Sequence, residues 1–276
     1  MTVIVTVKIN DGIVLACDSA TTFSNDAGVP IKIYNSANKA FNLVKGLPIG
    51  GLTCGAGGIG SASISTITKD LRRRLSGQEE SHLEWKLPPD YTMKLVAEHV
   101  RQFLFEELFK QEYGGEPPEG FSLAYKVCGY SAGAALPELW DVRIVDGTCG
   151  PPSLLRDQAD CGTNWDGELD ALSRLLLGVG VKFRELLIEE GVPEEEANEA
   201  VQKVQNKLGA PVVLAAMPVQ DAIELAKFMV QTTIGFMRFN LGAETVGGPI
   251  EIAAITKHEG FKWISRKLFY DMELNP

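Results

Sequence analysis

The sequence has few of the residues on which metal and nucleic-acid sites depend. Its three histidines, His82, His99 and His258, belong to no H-E-x-x-H motif and to no pair with a carboxylate. Its 26 basic side chains are outnumbered by 36 acidic ones, which gives a net charge of −10. Affinity for a phosphate backbone comes mainly from clustered Lys and Arg. We therefore expect no metal and no nucleic-acid partner.

Cysteine pairs and long apolar runs are also lacking. The five cysteines are odd in number and widely spread, with no C-x-x-C arrangement: Cys17, Cys54, Cys128, Cys149 and Cys161. This pattern predicts neither a disulfide framework nor a zinc site. No apolar run approaches the roughly 20 residues that span a bilayer, and residues 1–9 lack the regions of a signal peptide. We expect a soluble, cytoplasmic protein with no membrane partner.

What the sequence does contain is enough apolar material for one sizeable core. At 276 residues with 45% hydrophobic composition, the simplest organisation is a single domain over residues 1–276. Strand patterns occur in hairpins, the first around the Asn10-Asp11-Gly12 turn, and hairpins indicate antiparallel pairing. The predicted strands are 3–9, 13–17, 39–44, 49–54, 121–130, 139–145, 249–256 and 261–266.

Helical periodicity occurs in groups between these strands. Helices are predicted after a cap at Ser61, over about 89–110, after a cap at Asn164 or Asp166, and from Pro193 and Pro218. Grouped amphipathic helices cover sheet faces rather than cross between parallel strands. We therefore predict an α+β fold, a four-layer αββα sandwich of two antiparallel sheets, with an added helical pair around 180–211.

The residue types near the N-terminus suggest a mechanism. A Thr hydroxyl is a poor nucleophile, but an N-terminal Thr carries its own base, an α-amine with a pKa of about 8. Thr2 follows the initiator Met and has a small side chain, so ordinary removal of Met1 is expected to expose it. Thr2 is thus a candidate catalytic nucleophile that needs no cofactor.

The opening stretch, a Thr followed by a strand, an acidic-Gly turn, an apolar strand and Asp18-Ser19, resembles mature proteasome β subunits and the related bacterial heat-shock-locus peptidase. The resemblance extends through Asn38-Lys39-Ala40-Phe41-Asn42-Leu43, which looks like the strand carrying that family's catalytic Lys. Thr53-Cys54-Gly55-Ala56-Gly57-Gly58 looks like its oxyanion-hole turn. The resemblance as a whole implies an N-terminal-nucleophile hydrolase fold and a threonine peptidase.

The resemblance also implies roles for individual residues. Lys39 would favour the Thr2 alkoxide, Asp18 would hold the Lys39 ammonium, and the Gly55 N–H would stabilise the developing oxyanion. The segment between Asp18 and Lys39 is longer than the family's usual spacing, so Lys32 is a second possible match, although Lys39 fits the following strand better.

Five further positions follow from the same resemblance. The family's auxiliary Ser and Asp, which support the amine, correspond to Thr163 and to Ala243 or Glu244, with Glu244 the one that carries an acid. Substrate-binding positions are Thr22, Thr53 and Gly57: Thr22 and Thr53 match positions that hold the substrate backbone and floor the specificity pocket. A Thr at this floor suggests a small or polar preference.

Two other functions fit parts of the sequence. Gly55 to Gly60 matches G-x-G-x-x-G between a strand and a helix, as in dinucleotide-binding enzymes, but the segment after the helix is polar rather than a strand ending in an acid. The chain could also be a catalytically inactive scaffold subunit of the same fold. Family resemblance implies polypeptide substrates, a homo-oligomer built as a ring or helical stack, and an ATP-dependent unfoldase as a possible partner.

Overall fold

A computed structural model describes residues 2–25, 28–114 and 116–267. Met1, whose removal the sequence predicts, lies outside the described residues. Ten strands form two five-stranded sheets in this part of the chain, and each neighbouring pair in them is antiparallel. The first sheet has the order β12 (Gly162–Gly167), β1 (Val3–Ile9), β2 (Gly12–Cys17), β13 (Glu251–Thr256), β14 (Gly260–Ser265). The second has the order β11 (Ser153–Arg156), β10 (Glu138–Val145), β9 (Ser122–Gly129), β6 (Ile49–Gly55), β5 (Ala40–Asn42).

Two small hairpins stand apart from these sheets. The first pairs β3 (Thr21–Ser24) with β4 (Pro30–Tyr34), and the second pairs β7 (Gly58–Ile59) with β8 (Ala62–Ser63). The sequence predicts only a polar loop for most of the first hairpin, because its strands are largely exposed and carry no alternation between a buried and a solvated face.

Helices cover the outer face of the second sheet. They are α1 (Ile64–Leu75), a short 3₁₀ helix (Glu80–Trp85), α2 (Met93–Arg101), a π-helical segment (Gln102–Phe109) and α3 (Lys110–Tyr113). Ser63, two residues after the predicted cap at Ser61, is the N-cap of α1, and its hydroxyl accepts a hydrogen bond from the Thr66 N–H. The structure divides the single helix predicted over 89–110 into α2, the π-helical segment and α3. Local apolar spacing does not reveal this change.

A second group of helices contains α4 (Asp170–Leu177), α5 (Phe183–Glu189), α6 (Glu194–Leu208) and α7 (Val219–Phe239). The apolar face of α7 and one face of α4 pack on the first sheet. The pair α5 and α6 is largely exposed. It coincides with the predicted helical pair around 180–211, and its status as an insertion stays a prediction.

Three apolar clusters define the layers. One lies between the first helix group and the second sheet, one between α4, α7 and the first sheet, and one between the two sheets. The third includes Ile4, Leu15, Leu52 and Ala124, which come from both sheets. The predicted four-layer αββα sandwich of two antiparallel sheets is confirmed.

One predicted helix boundary is wrong. Asn164 and Asp166 do not cap a helix, because both lie inside β12, which pairs with β1, and the helix begins at Asp170. Short polar strands that complete a sheet edge have weak sequence patterns, which also explains why β11 is not predicted. Within the described ranges, no helix is long and apolar enough to cross a bilayer.

Candidate functional site

A cleft of about 760 Å³ opens between the N-terminal end of β1, strand β3, the segment that leads into β5, and the glycine-rich segment after β6. Six of the residues that the sequence singles out line it: Thr2, Thr22, Lys39, Thr53, Gly55 and Gly57. They come from four separate stretches of the chain, which the sandwich brings to one edge of the two sheets. Their convergence is the reason for placing the candidate site here.

Asp18 and Lys39 form a buried ion pair at the base of this cleft. Lys39 Nζ donates to Asp18 Oδ1 at 2.6 Å. Asp18 is completely buried at the end of β2, and Lys39 is 5% exposed just before β5. A buried ammonium needs a paired charge. Asp18 therefore holds the Lys39 ammonium at a defined position in the wall of the cleft.

Backbone donors complete the coordination of the Asp18 carboxylate. Oδ1 also accepts from the Val3 N–H, and Oδ2 accepts from the N–H groups of Ala20 and Gly247, each at 3.0 Å. Hydrogen bonds to an ionised acceptor are stronger than neutral ones. Because one donor is Val3, the carboxylate connects the Lys39 ammonium to the residue directly after Thr2.

Thr2 itself is held by the edge strand of its sheet. Thr2 is 6% exposed, and its carbonyl oxygen accepts from the Glu168 N–H at 2.7 Å. Gly167, opposite Val3, has φ +91°, and a Cβ there would collide with the Thr2 carbonyl. Glycine is therefore required for the close approach. Glu168 is a neighbour of Thr2 that sequence reasoning missed.

Gly55 ends β6 with φ +93°, and a Cβ at this position would collide with the Ser122 carbonyl oxygen. The Thr53 N–H donates to Lys39 O on one side of the strand, and the Ala56 N–H donates to Ser122 O on the other. Since N–H directions alternate along a strand, the Gly55 N–H is directed to the same side of the strand as Lys39.

Two threonine hydroxyls in the cleft lack partners. Thr22 Oγ1 and Thr53 Oγ1 are both buried, and neither has a hydrogen-bond partner among the described residues. Thr53 is 3% exposed. A buried polar group without a partner costs free energy. These hydroxyls are thus placed to bond a group that enters the cleft.

Electrostatically the cleft is almost neutral. Lys39 is the one charged side chain among the described residues that line it, and its charge is paired. Cys54 also lines the cleft, but burial raises the pKa of its thiol to about 12. A thiol nucleophile must be ionised to react. Burial therefore holds Cys54 as a neutral thiol, which is a poor candidate nucleophile.

The strand register places Thr163 far from Thr2. Thr163 therefore does not lie where the predicted support of the Thr2 amine requires it. Thr163 is opposite Val7, whereas Gly167 is opposite Val3. Four residues along a strand correspond to about 13 Å. Sequence similarity cannot fix this register, because the Gly-Thr pair fits several positions on an edge strand.

The structure also shows whether the predicted acidic residue and the two candidate lysines line the cleft. Glu244 is exposed and does not line the cleft, while Ala243 lines a neighbouring cavity that also includes Glu168. Lys32 is exposed on β4, with its Nζ 5.5 Å from the ring centre of Tyr34. Lys39 rather than Lys32 therefore lines the cleft with Thr2.

The described part of the chain offers no group of three or more His, Cys, Asp or Glu side chains that could hold a metal ion. Asp18 is bonded to Lys39 and to three backbone N–H groups. Besides backbone groups, the described residues that line the cleft present hydroxyls, the Asn38 amide, the Cys54 thiol and the paired Lys39 ammonium.

Comparisons with known proteins support the fold. No protein-family model matches the chain, and no curated protein matches it either. Among solved structures the chain is similar to Anbu (ancestral beta-subunit) from Yersinia bercovieri, with a TM-score of 0.54 and 16% identity. The match covers 96% of this chain and 88% of that one. At this identity the likeness concerns the fold alone, and it shows that the chain has a proteasome-like fold.

Proposed function

We propose that this chain is a threonine-type peptidase that uses Thr2 as an N-terminal nucleophile once Met1 has been removed. The observation that carries the proposal is the buried Lys39 and Asp18 pair, with 2.6 Å between Nζ and Oδ1, in the wall of the cleft that contains Thr2. A paired lysine in the same cleft as a threonine hydroxyl is suited to stabilise negative charge on the oxygen.

In the proposed reaction, the Thr2 hydroxyl oxygen attacks the carbonyl carbon of an amide, and its proton passes to the Thr2 α-amine. The Lys39 charge favours the attacking oxygen, and the Gly55 N–H bonds the resulting oxyanion. Collapse of the intermediate breaks the C–N bond, and the α-ammonium returns the proton to the leaving amine. Water, deprotonated by the α-amine, then hydrolyses the ester and regenerates Thr2.

Polypeptides are the proposed substrates. An extended chain would run between the backbones of Thr22 and Gly57, both of which line the cleft. Gly57 is exposed, and the nearest atom to a Cβ built on it is 3.8 Å away, so its surroundings leave room for a substrate backbone. We further propose a cytoplasmic homo-oligomer, as a ring or helical stack, and an ATP-dependent unfoldase as a partner to be sought.

The test is covalent labelling with a peptide epoxyketone, which reacts with a hydroxyl and a free amine on the same residue. Intact mass and fragment mapping should find an adduct on Thr2 of a chain that lacks Met1. Thr2→Ala, which keeps a small residue after Met1, is the control and should give no adduct. Thr2→Ser should still label.

Two results would contradict the proposal. Unlabelled protein that retains Met1 would favour an inactive scaffold subunit. Unlabelled protein that begins at Thr2 would mean that the Lys39 and Asp18 pair does not activate the hydroxyl. Dinucleotide binding finds no support in the fold, since β6 pairs antiparallel with both β5 and β9, whereas that motif needs a parallel βαβ unit.

A further inference from the structure

A second buried ion pair lies beside the segments that carry the first. Lys267 Nζ is 2.7 Å from Glu251 Oε2, with the two side chains 9% and 1% exposed. Glu251 begins β13 and is opposite Cys17, the residue before Asp18. Neither residue lines the cleft, so the proposed reaction does not use this pair directly.

The Lys267 ammonium also joins the two segments that carry Asp18 and Lys39. It donates to Ser19 Oγ at 3.1 Å and to the Ala37 carbonyl oxygen at 2.9 Å. Ser19 follows Asp18, and Ala37 precedes Lys39 by two residues. The Ala37 N–H also donates to Ser19 O at 2.9 Å, so Lys267 reinforces a direct contact between the two segments.

The orientation of Ser19 is consistent with this arrangement. Its hydroxyl donates to the Pro249 carbonyl oxygen at 2.7 Å, which leaves the oxygen lone pairs to accept from Lys267. Lys267 therefore bonds an acceptor that the segment entering β13 has already oriented. Charge from Glu251, a fixed hydroxyl and a backbone carbonyl together hold the ammonium in one place.

We propose that Lys267 is a positioning residue for the reaction of Thr2, because it fixes the Ala37 to Lys39 segment against the Asp18 turn. This inference rests on the proposed function. Reaction at Thr2 depends on the position of the Lys39 ammonium, and a displacement of about 1 Å can lower a rate by roughly 100-fold. Substrate binding depends on Thr22, Thr53 and Gly57, none of which is among the partners of Lys267.

The test measures the epoxyketone labelling of Thr2 as a function of probe concentration, which separates the maximal rate from the half-saturating concentration. In Lys267→Met the maximal rate should fall by about 10- to 100-fold, with the half-saturating concentration within about twofold of wild type. Lys262→Met, which removes an exposed lysine from β14 just ahead of Lys267, is the matched control and should label as wild type does.

Removing Lys267 alone leaves Glu251 buried without its partner, and this can impair folding. Lys267→Met/Glu251→Met removes both charges, and Ser19→Ala leaves the ion pair intact while deleting one contact. We expect slow labelling from the double variant and a smaller loss from Ser19→Ala. A double variant that labels at the wild-type rate would overturn the proposal, because the pair would then only balance charge.

A second readout does not depend on any reaction of Thr2. In protein labelled with ¹³C at the lysine ε position, the Lys39 signal should shift in Lys267→Met/Glu251→Met, while that of Lys126, which pairs with Asp141 elsewhere, should stay. An unmoved Lys39 signal would also overturn the inference. If wild-type protein fails to label but the Lys39 signal moves, the proposed function fails and the positioning contact stands.

Discussion

Replacing Asp18 with Asn removes the charge that balances Lys39 and keeps the size of the side chain. The Lys39 ammonium, which is 5% exposed, would then be buried without its counter-charge. The carboxylate also accepts from three backbone N–H groups, whereas an amide has only one acceptor oxygen. Breaking a buried pair from one side costs about 3–5 kcal/mol.

The entropy of unfolding is roughly 2.1 cal/mol/K per residue, so a loss of this size lowers Tm by roughly 5–9 °C for a chain of 276 residues. Thermal unfolding followed by circular dichroism would measure it, with Asp11→Asn as the control. Asp11 is exposed in the turn after β1, so this change should alter the free energy of unfolding by less than about 0.5 kcal/mol. Asp18→Asn/Lys39→Met should recover much of the stability while remaining unreactive. If Asp18→Asn unfolds like the Asp11 variant, the pair does not hold the site together.

Three further outcomes are expected. Gly55→Ala should destabilise the protein in urea unfolding and abolish Thr2 labelling, because its φ of +93° is strained for alanine and a Cβ would meet Ser122 O. Thr53→Val removes an unpartnered hydroxyl and should leave stability almost unchanged. It should lower the ratio of two cleavage rates, that of a fluorogenic peptide with Ser before the scissile bond to that of one with Val there. An equal ratio in wild type and variant would contradict this prediction. Burial alone raises the pKa of Asp166, but the hydrogen bond from Arg143 and the charges of Lys126 and Arg143 outweigh it and hold that pKa below its usual value. Stability from this carboxylate is thus present above about pH 4 and lost as the pH falls. Unfolding free energies measured from pH 6 to pH 2 should decline less steeply in Asp166→Asn than in wild type.

Local patterns in the sequence predict most helices and strands. They do not predict the features of the fold that depend on tertiary packing. The Asn10-Asp11-Gly12 turn and the helix that follows Pro218 both lie where the sequence places them. Gly12 shows the limit of such reasoning. A Cβ on Gly12 would lie 2.6 Å from the carbonyl oxygen of Ile255 on β13, so the neighbouring strand requires glycine here, whereas the φ of Gly12 does not.

The residues of the candidate site likewise include some that the sequence reveals and others that only the tertiary structure identifies. Asp18 and Lys39 are recognisable because each lies beside a short apolar strand with a distinctive pattern, and the structure brings them into contact. Thr163 and Glu168 depend on the register between β1 and β12, and a one-residue sequence pattern cannot specify that register. The role of Lys267 is harder still to predict, since two of its partners, Ala37 and Ser19, lie 230 and 248 residues away in the chain.

The hydrogen bonds of Asp18 also bear on the order of events during folding. Its partners Val3 and Ala20 are close in sequence, but Gly247 is 229 residues away. Contacts of such long range form late, because closing a long loop costs conformational entropy before the contact repays it. A chain that has built only its first strands therefore has an incomplete carboxylate site and a mobile Lys39 segment. We expect folding intermediates to be chemically silent at Thr2, so that hydrolytic capacity would arise only when the last strands dock.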